Sequence, residues 1–390
     1  MTANPLDQNS VSGPLASIQT YFGRVAVQQR VLPQYRVNFF DALAQACTGG
    51  LSVFAGQPET GEGIETAVEL HYAHYRRTRN VHISQVSSLR YLCWQRGILD
   101  WLNNWQPDIL IVEANPRYIS TSRGVGWMHH RQRPVIGWGL GVPRVGTSRG
   151  SYWQWLRSAR RLRFYRLFDG IIAYSRKGAR EYIEAGFPPE RVYIAPNAVA
   201  FRPAALPPPR PLETKERLNI LFVGRLQARK RIDNLLLACS ALPEDLQPGL
   251  FVVGDGPEKA NLEELASTIY PRAIFLGARH GAELEPLYAA ADLFVLPGTG
   301  GLAVQQAMAH ALPVIVAEGD GTQDDLVRPE NGWRIPAGDL QALTATIKDA
   351  LSSPRLRRMG EEAYRIVAEE VNVERMVDAF VTALNSVGIR

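Results

Sequence analysis

The chain has 390 residues, 46% of them hydrophobic and 21% charged, a balance that excludes a fibrous or wholly disordered protein and leaves room for two domains with separate cores. Its three cysteines, Cys47, Cys93 and Cys239, are too few and too scattered for a disulfide framework or a cysteine-based metal site, and they fit a reducing compartment. The net charge of +5 conceals an asymmetry: residues 1–200 carry 23 basic and 13 acidic side chains, whereas 201–390 carry 20 and 25. The first half is therefore the electropositive one, suited to phosphate, anionic lipid or an acidic substrate.

The opening residues, MTANPLDQNSVSGPLASIQT, have neither the basic start nor the apolar centre of a signal peptide, and no apolar run approaches about 18 residues. The expectation is a cytoplasmic protein, soluble or held peripherally on the inner face of the plasma membrane. From residue 23 onward short apolar runs alternate with longer amphipathic stretches. Strands are predicted at 23–29, 51–56, 108–114, 134–139, 170–175 and 191–196, with helices over 38–47, 87–104 and 176–185. A proline-rich linker follows at 201–216. The alternation then restarts, with strands at 218–224, 249–256, 273–277, 292–298 and 313–318 and helices near 229–241, 257–268, 282–291, 302–311, 340–352 and 355–388. Strand–helix repetition of this kind specifies an α/β protein of two doubly wound parallel-sheet domains, whose ligands bind beyond the carboxyl ends of the strands. The expected units are 1–200, the linker, 217–370, and a terminal segment 371–390 that returns to the first domain.

Three segments of the second half carry chemistry. In VGRLQARKRIDNLL (223–236) a strand ends at Gly224, and Arg225 and Lys230 flank a short loop that opens a helix. A glycine permits close backbone approach, the helix start offers unpaired N–H groups, and the two cations suit a diphosphate; a solvated basic turn would read the same way. GDGPE (254–258) is a second glycine-rich turn, weak by itself. In LPGTGGLAVQQAMAHALPVIV (296–316) the glycines 298, 300 and 301 precede a helix whose first amides could cradle a phosphate or sugar hydroxyls.

Taken together and in order, VGRLQARK, VVGDGPE, FLGARHGAELEPLYAAADLFVLPG and GLAVQQAMAHALPVI resemble the C-terminal half of the family 4 (GT4-type) glycosyltransferases, closely over about 220–335. YSRKGAREYIEAGFPPERVYIAPNAV (174–199) resembles the end of that family's first domain. The resemblance implies a GT-B fold, two Rossmann-like domains facing across a cleft, and a retaining, metal-independent transfer of a sugar from a nucleotide-diphosphate donor, most often a UDP-sugar, to a hydroxyl on a glycan or lipid-linked acceptor. No cofactor beyond the donor is implied, and cell-envelope polysaccharide or glycolipid synthesis is the expected setting. Arg225 and Lys230 match the pair that holds the diphosphate as leaving group. Gly224 ends the strand before them, the loop at Gly277–Glu283 matches the region beside the base, and Gly298, Thr299, Gly300, Gly301, Leu302 and Ala303 match the loop against sugar and distal phosphate. Gln306 stands where a glutamate usually takes the ribose hydroxyls, and Gly298 stands where the family's first glutamate faces the sugar. Both are departures, because glutamine lacks the charge assistance of a carboxylate and glycine offers no side chain. Leu140 stands where family members commonly carry a histidine.

On the acceptor side, Tyr35 and Arg36 follow the first strand, and Glu113, Asn115 and Arg117 follow the third. Glu113 is the candidate for orienting or deprotonating the acceptor hydroxyl; a structural ion pair with a nearby arginine is the alternative. His129 and His130 read as surface or packing residues, and no spacing marks a metal site. The stretch 151–168 interleaves Arg157, Arg160, Arg161, Arg163 and Arg166 with aromatic residues, which suits either an anionic membrane surface or a solvated helix face. No nucleic-acid module is present. Two other readings stay open on these residues: a non-catalytic nucleotide-sugar-binding or scaffold protein with a degenerate site, and a GT-B epimerase or phosphorylase.

Overall fold

The computed structural model describes residues 19–388, apart from 60–61, 63, 87, 89, 143–151, 207–216, 301 and 320, and without the side chains of 152–158. The first half runs β1 (Val25–Val31), α1 (Val37–Ala46), β2 (Leu51–Gly56), β3 (His74–Arg77), β4 (Asn80–Ile83), β5 (Leu92–Gln95), α2 (Ile98–Trp105), β6 (Ile109–Glu113), α3 (Ile119–His130), β7 (Val135–Gly139), α4 (Tyr152–Tyr165), β8 (Gly170–Ala173), α5 (Arg176–Glu184) and β9 (Val192–Ile194). The second half runs β10 (Asn219–Val223), α6 (Ile232–Ser240), β11 (Gly249–Val253), α7 (Lys259–Ile269), β12 (Ala273–Phe275), α8 (Glu285–Ala290), β13 (Leu293–Leu296), α9 (Leu302–Ala309), β14 (Val314–Ala317), α10 (Thr322–Leu326), β15 (Gly332–Ile335), α11 (Leu340–Leu351), α12 (Leu356–Glu369) and α13 (Val373–Gly388).

Two parallel sheets result. The first has the order β3-β2-β1-β6-β7-β8-β9 and the second β12-β11-β10-β13-β14-β15. Strand order reverses at β1/β6 and at β10/β13, and each reversal opens a crevice at the carboxyl ends of the strands. Both faces of each sheet are covered, which is why the central strands read as unbroken apolar runs. In β1, Val25 and Val27 join one core and Ala26 the other; in β6, Ile109 and Ile111 face the first core, Leu110 and Val112 the second. The second sheet is buried in a core of its own.

The last helix belongs to the first sheet. α13 contributes Val373, Met376, Phe380 and Leu384 to the same core as β1 and β6. Phe380 meets Trp138 edge-on at 4.9 Å and Phe39 at 4.9 Å, and burial of each such ring contributes about 2–3 kcal/mol. The chain thus crosses between the sheets twice, at 199–202 and at 370–373. One side chain ties the crossings together. Gln305 on α9, fully buried, accepts the backbone N–H groups of Val199 (2.7 Å) and Ala200 (3.3 Å) and donates to the carbonyl of Val371 (2.6 Å).

The structure corrects several expected elements. The helix predicted over 87–104 is a hairpin strand followed by a short helix: Asn80–Ile83 and Leu92–Gln95 pair antiparallel, and Gly97, at φ 76°, turns the chain into α2. The apolar residues there serve cross-strand pairs such as Val81–Trp94 and Ile83–Leu92, a period of two that a helical reading overrides. The helix predicted over 355–388 is broken by residues 370–372, where Asn372 caps the incoming and outgoing turns. Two edge strands, β3 and β15, were not predicted, since HYRR and GWRI lack an apolar run.

Candidate active site

The second crevice is built from backbone first. Gly224 N–H donates to Val253 O at 2.9 Å and Gly254 N–H to Gly277 O at 2.8 Å, so three glycines at adjoining strand ends form a ladder. A Cβ on Gly254, at φ 146°, would overlap the carbonyl of Gly224. Beyond this ladder Arg225 starts the loop to the 3-10 turn Ala228–Lys230, and the loop after β13 closes onto it. Thr299 N–H donates to Arg229 O at 3.1 Å, and the Arg229 guanidinium returns to the Thr299 hydroxyl at 3.2 Å. Gly298 lies so near that a Cβ would come within 2.6 Å of Lys230 Cα. A side chain at position 298 would therefore have to displace the Arg229–Lys230 backbone.

Lys230 is half-buried beside Gly300, at φ 124°, where a Cβ would overlap its Nζ. Two influences act on the ammonium: burial, which is the larger, and the like charge of Arg229. Together they lower its pKa from 10.5 to about 8. No ion pair engages it among the described residues. Gly224, Arg225, Lys230, Gly298, Thr299 and Gly300 are thus brought together; Leu302 and Ala303 open α9 beside them, and Gly301 lies outside the described residues. Gln306 sits one turn into α9, 3.4 Å from the Tyr288 hydroxyl. Gly277 ends the glycine ladder, and the turn at Gly281–Leu284 that follows it is closed by a capping box of His280 and Glu283.

Across the crevice stand the strand ends of the first sheet. Glu113 ends β6, and its Oε1 accepts the N–H of Arg30, at the end of β1, at 2.7 Å. Burial raises its carboxyl pKa above the usual range, opposed by that hydrogen bond and by the charge of Arg30. Arg30 holds Glu62 in a bidentate pair, both contacts at 2.8 Å, and the Glu62 carbonyl takes Arg225 Nη1 at 3.4 Å. Arg225 of the second sheet and Glu113 of the first are in this way linked through Glu62 and Arg30, two residues that sequence reasoning missed. Glu62 lies in an insert without periodic pattern, so no sequence signal marked it. Arg225 Nε is buried with no hydrogen-bond partner among the described residues.

The acceptor-side expectations fare unevenly. Arg36 is 4% exposed, donates to Asn197 and Met376, and lies over the rings of Tyr35, Phe39, Trp138 and Tyr174 at 5.2–5.9 Å. It is a packed core cation and no acceptor ligand; only Tyr35 is exposed. Asn115 spends its side-chain oxygen on the N–H of Arg117 at 3.1 Å, while the Arg117 side chain is half-buried. Leu140 is exposed at the end of β7. His129 approaches Asp169 at 3.5 Å. In the arginine-aromatic stretch, Phe164 and Phe168 are buried in the first domain's core while Arg160, Arg163 and Arg166 stay exposed. Among the described residues no helix is long and apolar enough to cross a membrane, and no group of three or more His, Cys, Asp or Glu side chains could hold a metal ion.

Comparison with known proteins converges on one family. The profile of the Glycosyltransferase Family 4 matches residues 51–201, and that of the Glycosyl transferases group 1 matches residues 208–366. A GDP-mannose-dependent alpha-mannosyltransferase of Mycobacterium tuberculosis is 29% identical over 305 residues, 73% of this chain and 75% of that protein. The protein of the same description from Mycolicibacterium smegmatis is 42% identical over 150 residues, 37% of each chain. The lipopolysaccharide core biosynthesis glycosyltransferase LpsE of Rhizobium meliloti is 25% identical over 315 residues, 75% of this chain and 90% of that protein. Among solved structures, Anabaena HepE in complex with UDP superposes with a TM-score of 0.68 over 93% of this chain and 99% of that one, at 17% identity, a likeness of fold. The two profiles, one on each domain, and the two parallel sheets establish that the chain belongs to the GT4-type glycosyltransferases of GT-B fold.

Proposed function

We propose that this protein is a retaining, metal-independent glycosyltransferase that moves a sugar from a nucleotide-diphosphate sugar to a hydroxyl of a glycan or lipid-linked acceptor. The observation that carries this reading is Lys230, a half-buried ammonium with a like-charged neighbour and a lowered pKa, held against a glycine loop. A buried charge without a counter-ion is costly, and a diphosphate would compensate it. In the reaction the bond between the sugar's anomeric carbon and the distal phosphate oxygen breaks, and the electron pair leaves with the diphosphate. Arg225, Lys230 and the first amides of α9 face that developing charge. The acceptor oxygen bonds to the anomeric carbon on the face the diphosphate leaves, and its proton passes to the departing phosphate oxygen or to Glu113, whose raised pKa favours taking it up.

The M. tuberculosis relative is GDP-mannose-dependent, so GDP is the nucleotide to try first, with UDP, the base expected from the resemblance, beside it. The LpsE relative acts in lipopolysaccharide core synthesis, which supports an envelope acceptor. The exposed Arg160, Arg163 and Arg166 supply charge for contact with an anionic membrane surface. Calorimetric titration with GDP and UDP tests the donor site. Binding of one of them, weakened roughly a hundredfold by Arg225→Ala, the scale of a lost hydrogen bond between charged groups, supports the reading. No binding by a folded protein refutes it and favours a non-catalytic scaffold, for which the crowded position at Gly298 speaks.

A further inference from the structure

The donor loop is held from a direction that the reaction scheme does not use. Gln323, on α10 and 1% exposed, donates its side-chain amide to the carbonyl of Gly300, the glycine packed on Lys230 Nζ. Its amide oxygen lies against Gly319; a Cβ there would come within 3.0 Å of it. Gly319, Gly321 and Asp325, around α10, also meet the first domain. Lys177, at the start of α5, donates from Nζ to Gly319 O at 3.2 Å, and the N–H of Arg176 donates to Asp325 Oδ2 at 2.7 Å. The stem of Lys177 lies along Gly321, at φ 95°, where a Cβ would fall 2.8 Å from Lys177 Cδ. Gly319, Gln323 and Asp325 thus lie close together, Gly319 and Asp325 met by the first domain and Gln323 holding the donor loop.

We propose that Gln323 is a positioning residue for the transfer reaction: it passes the docking of Lys177 and Arg176 onto the 318–325 segment to the Gly300 loop, so that the loop is set against Lys230 when the two domains are engaged. The proposal deepens the donor-site reading above and rests on it for the loop's role. The physical basis is that Lys177 and Gly300 do not touch, yet both bond to one packed segment with two backbone anchors, and contiguous hydrogen bonds of this kind carry coupling between sites. An amide suits the relay because it can donate to Gly300 while its oxygen remains against Gly319, where a carboxylate could only accept.

The test uses the full chain without ligand, by amide hydrogen exchange over 296–303, together with GDP and UDP titration. Lys177→Met and Gln323→Leu are each expected to speed exchange of the 298–300 amides by roughly fivefold, the size expected for one ordinary intramolecular hydrogen bond, and the double variant is expected to exceed neither single one. Lys177→Arg, which keeps a cationic donor, is expected to exchange at the wild-type rate, whereas a packing role for the lysine stem alone would leave Lys177→Met unchanged as well. Unchanged exchange at 298–300 in Lys177→Met, or single effects that multiply in the double variant, overturns the relay. Failure of the wild type to bind either nucleotide overturns the donor-site reading instead, and the exchange result stands apart from it.

Discussion

Replacing Lys230 with methionine separates what the site costs from what it does. The folded-state pKa of about 8, against 10.5 for a solvated lysine, corresponds to a penalty of about 3 kcal/mol for keeping the ammonium charged in the fold. That figure is an upper one, since the side chain keeps some contact with solvent. The sign follows from linkage. A lysine whose pKa falls on folding destabilises the fold at every pH below the folded value, by an amount that shrinks between pH 8 and 10.5 and vanishes above. Methionine matches the lysine stem in length and carries no charge, so Lys230→Met is expected to be more stable than the wild type by about 1–3 kcal/mol at pH 7. The advantage should shrink by pH 9.5. Urea titrations followed by circular dichroism at the two pH values measure it. Binding moves the other way. A diphosphate beside the ammonium restores its pKa, so GDP or UDP affinity should decline by up to about tenfold per pH unit above pH 8, and the variant should bind weakly with no such decline. A Lys230→Met protein that is less stable at pH 7, or whose stability difference ignores pH, would refute the picture of an uncompensated buried charge.

Other expectations follow from single contacts. Gln305→Ala strands the N–H groups of Val199 and Ala200 and the carbonyl of Val371; loss of about 2–4 kcal/mol is expected from unpaired buried groups, read as a lower denaturation midpoint. Gly298→Ala forces a methyl into the Arg229–Lys230 backbone, and overpacking of about 1–3 kcal/mol should appear as roughly tenfold weaker nucleotide binding by calorimetry; unchanged affinity would show that the loop yields freely. Glu113→Gln should leave nucleotide affinity intact and lower turnover by about a hundredfold or more if the carboxylate takes the acceptor proton, once an acceptor is found by product assay. Equal turnover would assign Glu113 a purely structural role beside Arg30.

What the chain revealed unaided was whatever repeats locally. Short apolar runs marked eleven of the thirteen strands of the two parallel sheets, all but β3 and β15, to within three residues at either end, because strands buried on both faces need no partner sequence to look apolar. The Gly224–Lys230 and Gly298–Ala303 segments were legible for the same reason: a glycine turn into a helix start with adjoining cations is contiguous in sequence. Residues whose meaning depends on a distant partner were not legible. Arg36 reads as a loop cation and is instead buried beside its neighbour Tyr35 and three rings drawn from α1, β7 and the β8 end. Glu62 stands in an insert with no pattern and becomes the contact between Arg225 and Arg30. Gln305 and Gln306 are neighbours of the same type, yet the rotation of about 100° between consecutive helical positions sends the first into the crossing of the two domains and leaves the second beside Tyr288. Side-chain chemistry is written in the sequence, but a buried amide or guanidinium takes its role from the groups that packing leaves within about 3 Å, and only the tertiary structure decides which groups those are.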